Sequence, residues 1–180
     1  SGSNNFGDAL DDHHSFTGSL SVSASLSVTG SATVDGTFSA QGISLSNNDA
    51  GTSNTIFGKA AGASLDAGSN QNVFIGENVS DAAMNDAGEN TGVGYEALSA
   101  LTTGDENTAI GRGAGAAITT GGLNTAVGKY ALNDVNTGGN NVAVGRNSGA
   151  AITTSSGSVF IGKDAGAVSV TGNQNIGIGL

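Results

Sequence analysis

Every lysine and arginine of this chain occupies the same place in a repeated motif. The residue that follows the closing glycine of the motif is, in successive copies, Lys59, Glu77, Tyr95, Arg112, Lys129, Arg146 and Lys163. The five cations in this series are the only Lys and Arg among the 180 residues. If the copies stack at the strand spacing of about 4.8 Å, these like charges repel one another and need partners.

Two kinds of partner suit this cation column. The carboxylates of Asp105, Glu106, Asp134 and Asp164 can form solvent-facing ion pairs with it, which is the common arrangement for exposed charges. Alternatively, the column binds an anionic surface glycan or a partner protein. The charge distribution supports binding, because residues 49–106 hold nine acidic residues and one basic residue, whereas from residue 107 onward four are basic and two are acidic. The sequence leaves both interpretations open.

The residue types that catalysis and metal binding require form no constellation in this sequence. Cysteine is absent, and the only histidines, His13 and His14, lie side by side with no further ligand at a usable spacing. The pair Asp105-Glu106 falls at a repeat corner, where solvation explains it. The G-x-G strings are products of the repeat, and no helix pattern follows them to bind a phosphate. We therefore predict that the protein is not an enzyme and holds no cofactor and no metal.

The cation column belongs to an internal repeat that covers residues 51–180. The units begin at Asn54, Asn72, Asn90, Asn107, Asn124, Asn141, Ser158 and Asn175, at intervals of 17 or 18 residues. An apolar residue precedes each closing glycine, and most units have a second apolar site eight residues later: Leu65, Ala83, Leu101, Ile118, Val135 and Ile152. We predict two short strands per unit, separated by Gly-rich corners, and a β-roll or solenoid of stacked units.

The asparagine that opens the units predicts a ladder along one corner of this solenoid. Its members are Asn54, Asn72, Asn90, Asn107, Asn124, Asn141 and Asn175. Identical amide side chains stacked in register can bond from one rung to the next. We expect these asparagines to have a structural role.

Two further regions precede the repeat. Residues 1–15 are polar and acidic, which predicts a flexible leader or attachment peptide. Residues 16–50 contain a strict alternation, with apolar residues such as Leu20, Val22 and Leu26 separated by Ser and Thr. Such a strand has one apolar face, and nothing in this short segment covers it. Identical segments from other chains, closed around a threefold axis, would cover the face and remove exposed edges, so we predict an intertwined β-helical shaft in a homotrimer.

Composition limits the classes of function. The formal net charge is −10, which disfavours binding to nucleic acid, and no stretch approaches the ~20 apolar residues that a membrane span requires. The chain has 31 glycines, no proline and no tryptophan. A thick globular core is therefore not expected, and a thin core of small residues in a stacked repeat is.

Two segments resemble known protein families. The run GSLSVSASLSVTGSATVDGTFSAQG is similar to the shaft repeats of bacteriophage tail fibres, and NTAIGRGAG with NTAVGKYALNDVNTGGNNVAVG looks like repeats of phage tail-fibre and head-fibre proteins. The latter run also resembles the head repeats of trimeric autotransporter adhesins. These resemblances imply a homotrimeric fibre that reaches or recognises a host surface.

The sequence thus predicts an all-β, elongated homotrimeric fibre on a virion surface or in the extracellular space. Other virion or fibre proteins would join one or both of its ends, and a host surface glycan would be its ligand. The first alternative is a bacterial surface adhesin or extracellular filament subunit. Another is an ice- or glycan-binding β-solenoid, since Thr55, Thr91, Thr108 and Thr125 share one repeat position, although Val73, Val142, Val159 and Ile176 interrupt that row.

Overall fold

The computed structural model describes residues 51–168 and 172–179, so the predicted leader (1–15) and shaft (16–50) lie outside the described residues. Eight strands of three residues each form in the described part, which contains no helix. They are β1 (Thr55–Phe57), β2 (Val73–Ile75), β3 (Thr91–Val93), β4 (Thr108–Ile110), β5 (Thr125–Val127), β6 (Val142–Val144), β7 (Val159–Ile161) and β8 (Ile176–Ile178). Within these ranges, the chain has no helix that is long and apolar enough to cross a membrane.

All eight strands belong to one parallel sheet in sequence order, so each repeat unit adds one strand beside the previous one. The register is constant, with Thr108 opposite Thr91 on one side and opposite Thr125 on the other. Parallel neighbours that follow each other directly in sequence require the chain to complete one turn of a coil between strands. The predictions of an all-β fold and of a stacked solenoid are therefore confirmed.

The prediction of two strands per unit is wrong for the described residues. After each closing glycine the chain makes consecutive turns in which the second and fourth residues have left-handed backbone, as in Tyr130 (φ 59°) and Leu132 (φ 47°). The Tyr130 N–H donates to the carbonyl of Arg112 in the preceding rung, and the Leu132 N–H donates to Ser148 in the following rung. Alternating positive φ values exclude an extended strand, yet they still supply hydrogen bonds to both neighbouring rungs.

The second apolar site of most units packs in the interior although it is not on a strand. Leu101, Ile118, Val135 and Ile152 are fully buried, and Leu65 is half-buried. Ala83 is an exception because it is exposed, while the neighbouring Met84 is buried. This unit has 18 residues, and the additional residue moves the buried position one place along the chain.

The solenoid core is thin and packs large side chains against small ones. The central residue of each strand faces inward, and in the middle rungs this residue is Gly92, Ala109, Ala126 or Ala143. The fourth residue after the closing glycine alternates along the axis between leucine and glycine: Leu98, Gly115, Leu132 and Gly149. A Cβ at Gly149 would lie 2.8 Å from a terminal carbon of Leu132, so each leucine occupies space that its glycine neighbour leaves free.

The closing glycines are required by backbone geometry. Gly111 and Gly128 have φ values of 134° and 131°, which L-residues with side chains rarely adopt. A Cβ on Gly111 would lie 2.7 Å from the carbonyl carbon and oxygen of Gly128 in the next rung. Both the torsion and the close approach of successive rungs therefore demand glycine at this position.

Candidate binding surfaces of the solenoid

The opening asparagines of successive units are buried and hydrogen-bonded to one another. The Oδ1 atom of Asn107 accepts from the backbone N–H of Asn124 (3.1 Å) and from its Nδ2 (3.1 Å). The Nδ2 of Asn107 donates in turn to Asn90 Oδ1 (3.1 Å) and to the carbonyl of Gly121 (2.9 Å). The same pattern runs through Asn54, Asn72, Asn90, Asn107, Asn124 and Asn141.

Ser158 replaces asparagine in the next rung and continues the ladder with a hydroxyl group. Its backbone N–H donates to Asn141 Oδ1 (3.0 Å), and its Oγ accepts from the backbone N–H of Asn175 (3.1 Å). Among the described residues, no buried side-chain nitrogen or oxygen lacks a hydrogen-bond partner. The amides of this ladder are thus engaged in holding the rungs together, because each one bonds to the rung before and to the rung after it.

The two ends of the cation column form ion pairs. Lys59 Nζ lies 3.1 Å from the carboxylate of Glu77, which occupies the same position in the next rung. Lys163 pairs with the adjacent Asp164, and this hydrogen bond is the main cause that lowers the pKa of Asp164, with Asn147 adding a second hydrogen bond. Both lysines are exposed, with 82% of the Lys59 side chain accessible to solvent.

The middle of the column is stabilised by aromatic rings instead of carboxylates. The guanidinium carbon of Arg112 lies 5.4 Å from the ring centroid of Tyr95 and 5.9 Å from that of Tyr130. Lys129 Nζ lies 5.0 Å from the Tyr130 centroid. Cation–π attraction of this kind contributes about 0.5–1 kcal/mol at exposed sites. The rings thus offset part of the repulsion between the neighbouring cations.

Sequence reasoning placed Tyr95 in the column but missed Tyr130. Tyr130 follows Lys129 directly, and stacking brings its ring beside Arg112 of the preceding rung. An aromatic residue one place beyond the column, in the unit after an arginine, was the signal available in the sequence.

The carboxylates that the sequence offered as partners have mostly other roles. Asp105 accepts a hydrogen bond from the backbone N–H of Gly88 (2.7 Å), and Asp134 accepts one from the Asn133 side chain (2.7 Å). Glu106 lines a shallow groove with Asp105. Of the four carboxylates named above, Asp164 is the one that pairs with a cation in the described residues.

Arg146 and its neighbours in the column leave their donors free. Arg112, Lys129 and Arg146 make no hydrogen bond and no ion pair within the described residues. The Arg146 charge acts at longer range, since it contributes to lowering the pKa of Asp164. Three successive rungs therefore present exposed cationic donors to solvent.

A groove of about 270 Å³ lies among the residues that precede β2, β3 and β4. Its lining includes Asp86, Glu89, Asp105 and Glu106 together with Asn70 and Gln71. The residues described by the structure include no group of three or more His, Cys, Asp or Glu side chains that could hold a metal ion. The groove is thus an acidic depression on the same rungs that carry most of the negative charge.

The outward face of the sheet carries two continuous columns of mainly β-branched residues. The first residues of the strands are Thr55, Val73, Thr91, Thr108, Thr125, Val142, Val159 and Ile176. The third residues are Phe57, Ile75, Val93, Ile110, Val127, Val144, Ile161 and Ile178. None of these side chains is buried, and Phe57 and Ile178 are 62% and 76% exposed. This apolar strand face extends over all eight rungs.

Comparison of the chain with protein-family models, with curated proteins and with solved structures finds no match. The assignment of a role therefore depends on the surfaces just described. These are the buried Asn ladder, the cation column and the apolar strand face.

Proposed function

We propose that this protein is a structural fibre subunit of a phage virion, a tail or head fibre that projects from the particle and supports attachment to the host surface. In this proposal three copies form an elongated homotrimer, with residues 16–50 as the intertwined shaft and the repeat of 17–18-residue units as the solenoid. Other virion or fibre proteins join its ends. The resemblance of both segments to fibre repeats supports this proposal.

The observation that carries the proposal is the apolar strand face. Soluble monomers rarely expose contiguous apolar patches larger than a few hundred Å². Eight rungs of exposed Ile, Val, Phe and Thr form one uninterrupted strip, flat because the register is constant. Identical faces from three copies would cover one another around a common axis, which is the arrangement that the alternating N-terminal segment also favours.

Substitutions on this face test the association of copies. Ile110→Lys together with Val127→Lys places two charges in the middle of the apolar strand face, where a partner copy would leave them without water. We expect sedimentation velocity to show a shift from trimer to monomer. Thr120→Lys is the matched control, because Thr120 is exposed in the turn side of the same unit and does not belong to the strand face.

The outcome separates two explanations. A trimer that persists in the double variant would contradict the assignment of this face as the interface. Mass spectrometry of purified virions addresses location, and absence of the protein from particles but presence in a bacterial outer-surface fraction would favour the adhesin alternative.

One observation keeps ice binding as a second candidate. Thr55, Thr91, Thr108 and Thr125 lie on the outward face, next to the column of Phe, Ile and Val residues. A monomer with measurable thermal hysteresis would favour this function, whereas a trimer without thermal hysteresis would exclude it.

A further inference from the structure

The cation column changes character along the solenoid. At its first rung the charge of Lys59 is neutralised by Glu77, and at its last rung Lys163 pairs with Asp164. Between them Arg112, Lys129 and Arg146 occupy consecutive rungs with no carboxylate partner among the described residues. An uncompensated run of like charges is held in place, at neighbouring rungs, by a fold that gains nothing from the repulsion.

The aromatic rings fix the cations and leave the donors accessible. A ring attracts a cation through its electron-rich face and supplies no carboxylate-like acceptor for the N–H groups. Arg112, between Tyr95 and Tyr130, thus has a defined position while its donors make no hydrogen bond. Donors that are positioned before binding lose less conformational entropy when a ligand arrives.

The chemistry of this patch fits a polymer that carries both anions and sugar rings. Guanidinium and ammonium groups bind carboxylates through charge-assisted hydrogen bonds. Tyr95, which is 40% exposed, presents a ring edge or face against which the C–H surface of a pyranose can pack. Because the cations recur once per rung, at about 4.8 Å, a linear polymer aligned with the column meets a new cation at each rung.

We propose that Arg112, Lys129 and Arg146, flanked by Tyr95 and Tyr130, form a binding site for a linear acidic polysaccharide that runs along the solenoid. This inference deepens the host-attachment part of the proposed function and rests on it. Each contact is weak because it is exposed to water and salt. Affinity arises from several rungs and several copies acting on one polymer.

The test is binding of the full chain to alginate, a linear polymer of uronic acids, measured by isothermal titration calorimetry in low salt. We expect the triple variant Arg112→Gln, Lys129→Gln, Arg146→Gln to bind at least about tenfold more weakly, since exposed charge contacts each contribute roughly a factor of two to five. Lys59→Gln is the matched control, because Lys59 occupies the same repeat position but is already paired with Glu77. We expect its affinity to remain unchanged.

A second polymer distinguishes sugar recognition from simple charge attraction. Poly-glutamate carries carboxylates on a backbone without pyranose rings, so we expect it to bind more weakly than alginate. Tyr95→Leu with Tyr130→Leu is expected to weaken alginate binding and to leave poly-glutamate binding unchanged. Equal affinity for the two polymers would overturn the polysaccharide assignment in favour of an acidic protein partner.

The same samples separate failure of this site from failure of the fibre proposal. A trimer that does not bind alginate, or a triple variant that binds as tightly as the wild type, overturns the polysaccharide site and leaves the fibre proposal intact. Loss of affinity in Lys59→Gln equal to that in the triple variant would also overturn the site, because it would show that total charge alone is responsible. A monomer that binds alginate through the column overturns the trimer but supports the site.

Discussion

The rungs before residue 107 and those after it share one backbone but carry opposite charge. Residues 54–106 contain a single cation, Lys59, and most of the acidic residues of the solenoid, whereas residues 107–168 contain four cations and only the carboxylates Asp134 and Asp164. Both parts nevertheless have the same parallel register, the same Asn hydrogen bonds and the same alternation of positive φ values. The surface charge is therefore independent of the elements that form the fold.

Unit length differs between the two parts as well. The first two units have 18 residues and the later units 17, yet the strands remain in register. The turn segment absorbs the additional residue, since Ala82 donates to the following rung at Ser99 and Met84 donates to the preceding rung at Ser64. Strand and ladder positions define the rung, and the turn side tolerates an insertion.

The largest expected effect concerns the leucines of the core. Leu98 and Leu132 occupy equivalent positions in the acidic and basic parts, both are fully buried, and both have positive φ (54° and 47°). Leu98→Ala and Leu132→Ala should each lower the free energy of unfolding by about 2–5 kcal/mol, because each leaves a cavity beside a glycine. Urea denaturation at one fixed protein concentration measures both values.

Leu123 supplies the control for this comparison. It also has left-handed backbone (φ 61°) but is 50% exposed, so Leu123→Ala keeps the backbone strain and removes little packing. We expect a change of about 0.5 kcal/mol or less. A loss in Leu132→Ala that is no greater than in Leu123→Ala would contradict the buried position of this side chain.

The next effect concerns the Asn ladder. Asn90→Ala and Asn124→Ala each remove an Oδ1 that accepts two buried donors of the following asparagine. Each buried group left without a partner costs about 1–3 kcal/mol. We therefore expect a similar loss of stability, of about 2–4 kcal/mol, in the acidic and in the basic part.

The exposed Asn85 serves as the matched asparagine outside the ladder. Its side chain makes no hydrogen bond in the described residues, and its backbone N–H bond to Thr102 survives substitution. Asn85→Ala should thus leave the urea midpoint nearly unchanged. If Asn124→Ala were equally neutral, the buried ladder would not contribute to stability.

The smallest effect is a pH dependence that differs between the two parts. The pKa of Asp66 lies below its ordinary value of 3.8, chiefly because the Ser69 hydroxyl donates to the carboxylate, and the pKa of Asp164 is lowered chiefly by Lys163. Since both pKa values are lower in the folded state, their contributions are complete above the ordinary carboxyl pKa and are lost as pH falls through the lowered values.

Single substitutions isolate these contributions. Asp66→Asn and Asp164→Asn should each reduce the decline of the urea midpoint below about pH 4. High salt should remove the difference for Asp164, whose main partner is charged, and leave it for Asp66, whose main partner is a hydroxyl group. Acid sensitivity identical to the wild type in both variants would contradict these assignments.

The sequence contained the period of the solenoid, because NTAIG and NTAVG repeat at nearly constant intervals, but not its cross-section. The residue before each closing glycine was recognised as apolar, yet the structure places it on the outward face, since side chains alternate on a three-residue strand and the small central residue faces inward. Positive φ at bulky residues such as Leu132 and Tyr130 cannot be inferred from residue type, because tertiary contacts impose it.

The candidate site was predictable to a similar extent. The common repeat position of the cations was visible in the sequence, whereas the approach of Tyr130 to Arg112 depends on how one rung lies over the next. The binding role of the cation column and the association of three chains stay predictions.

The molar mass of the purified protein in solution, from light scattering on a sizing column, tests the central claim most directly. We predict a mass near three times 17.3 kDa, because the apolar strand face and the alternating segment then have identical partners. A single species at 17.3 kDa, stable across a wide range of protein concentration, would contradict the trimeric fibre and leave the apolar strand face to another ligand.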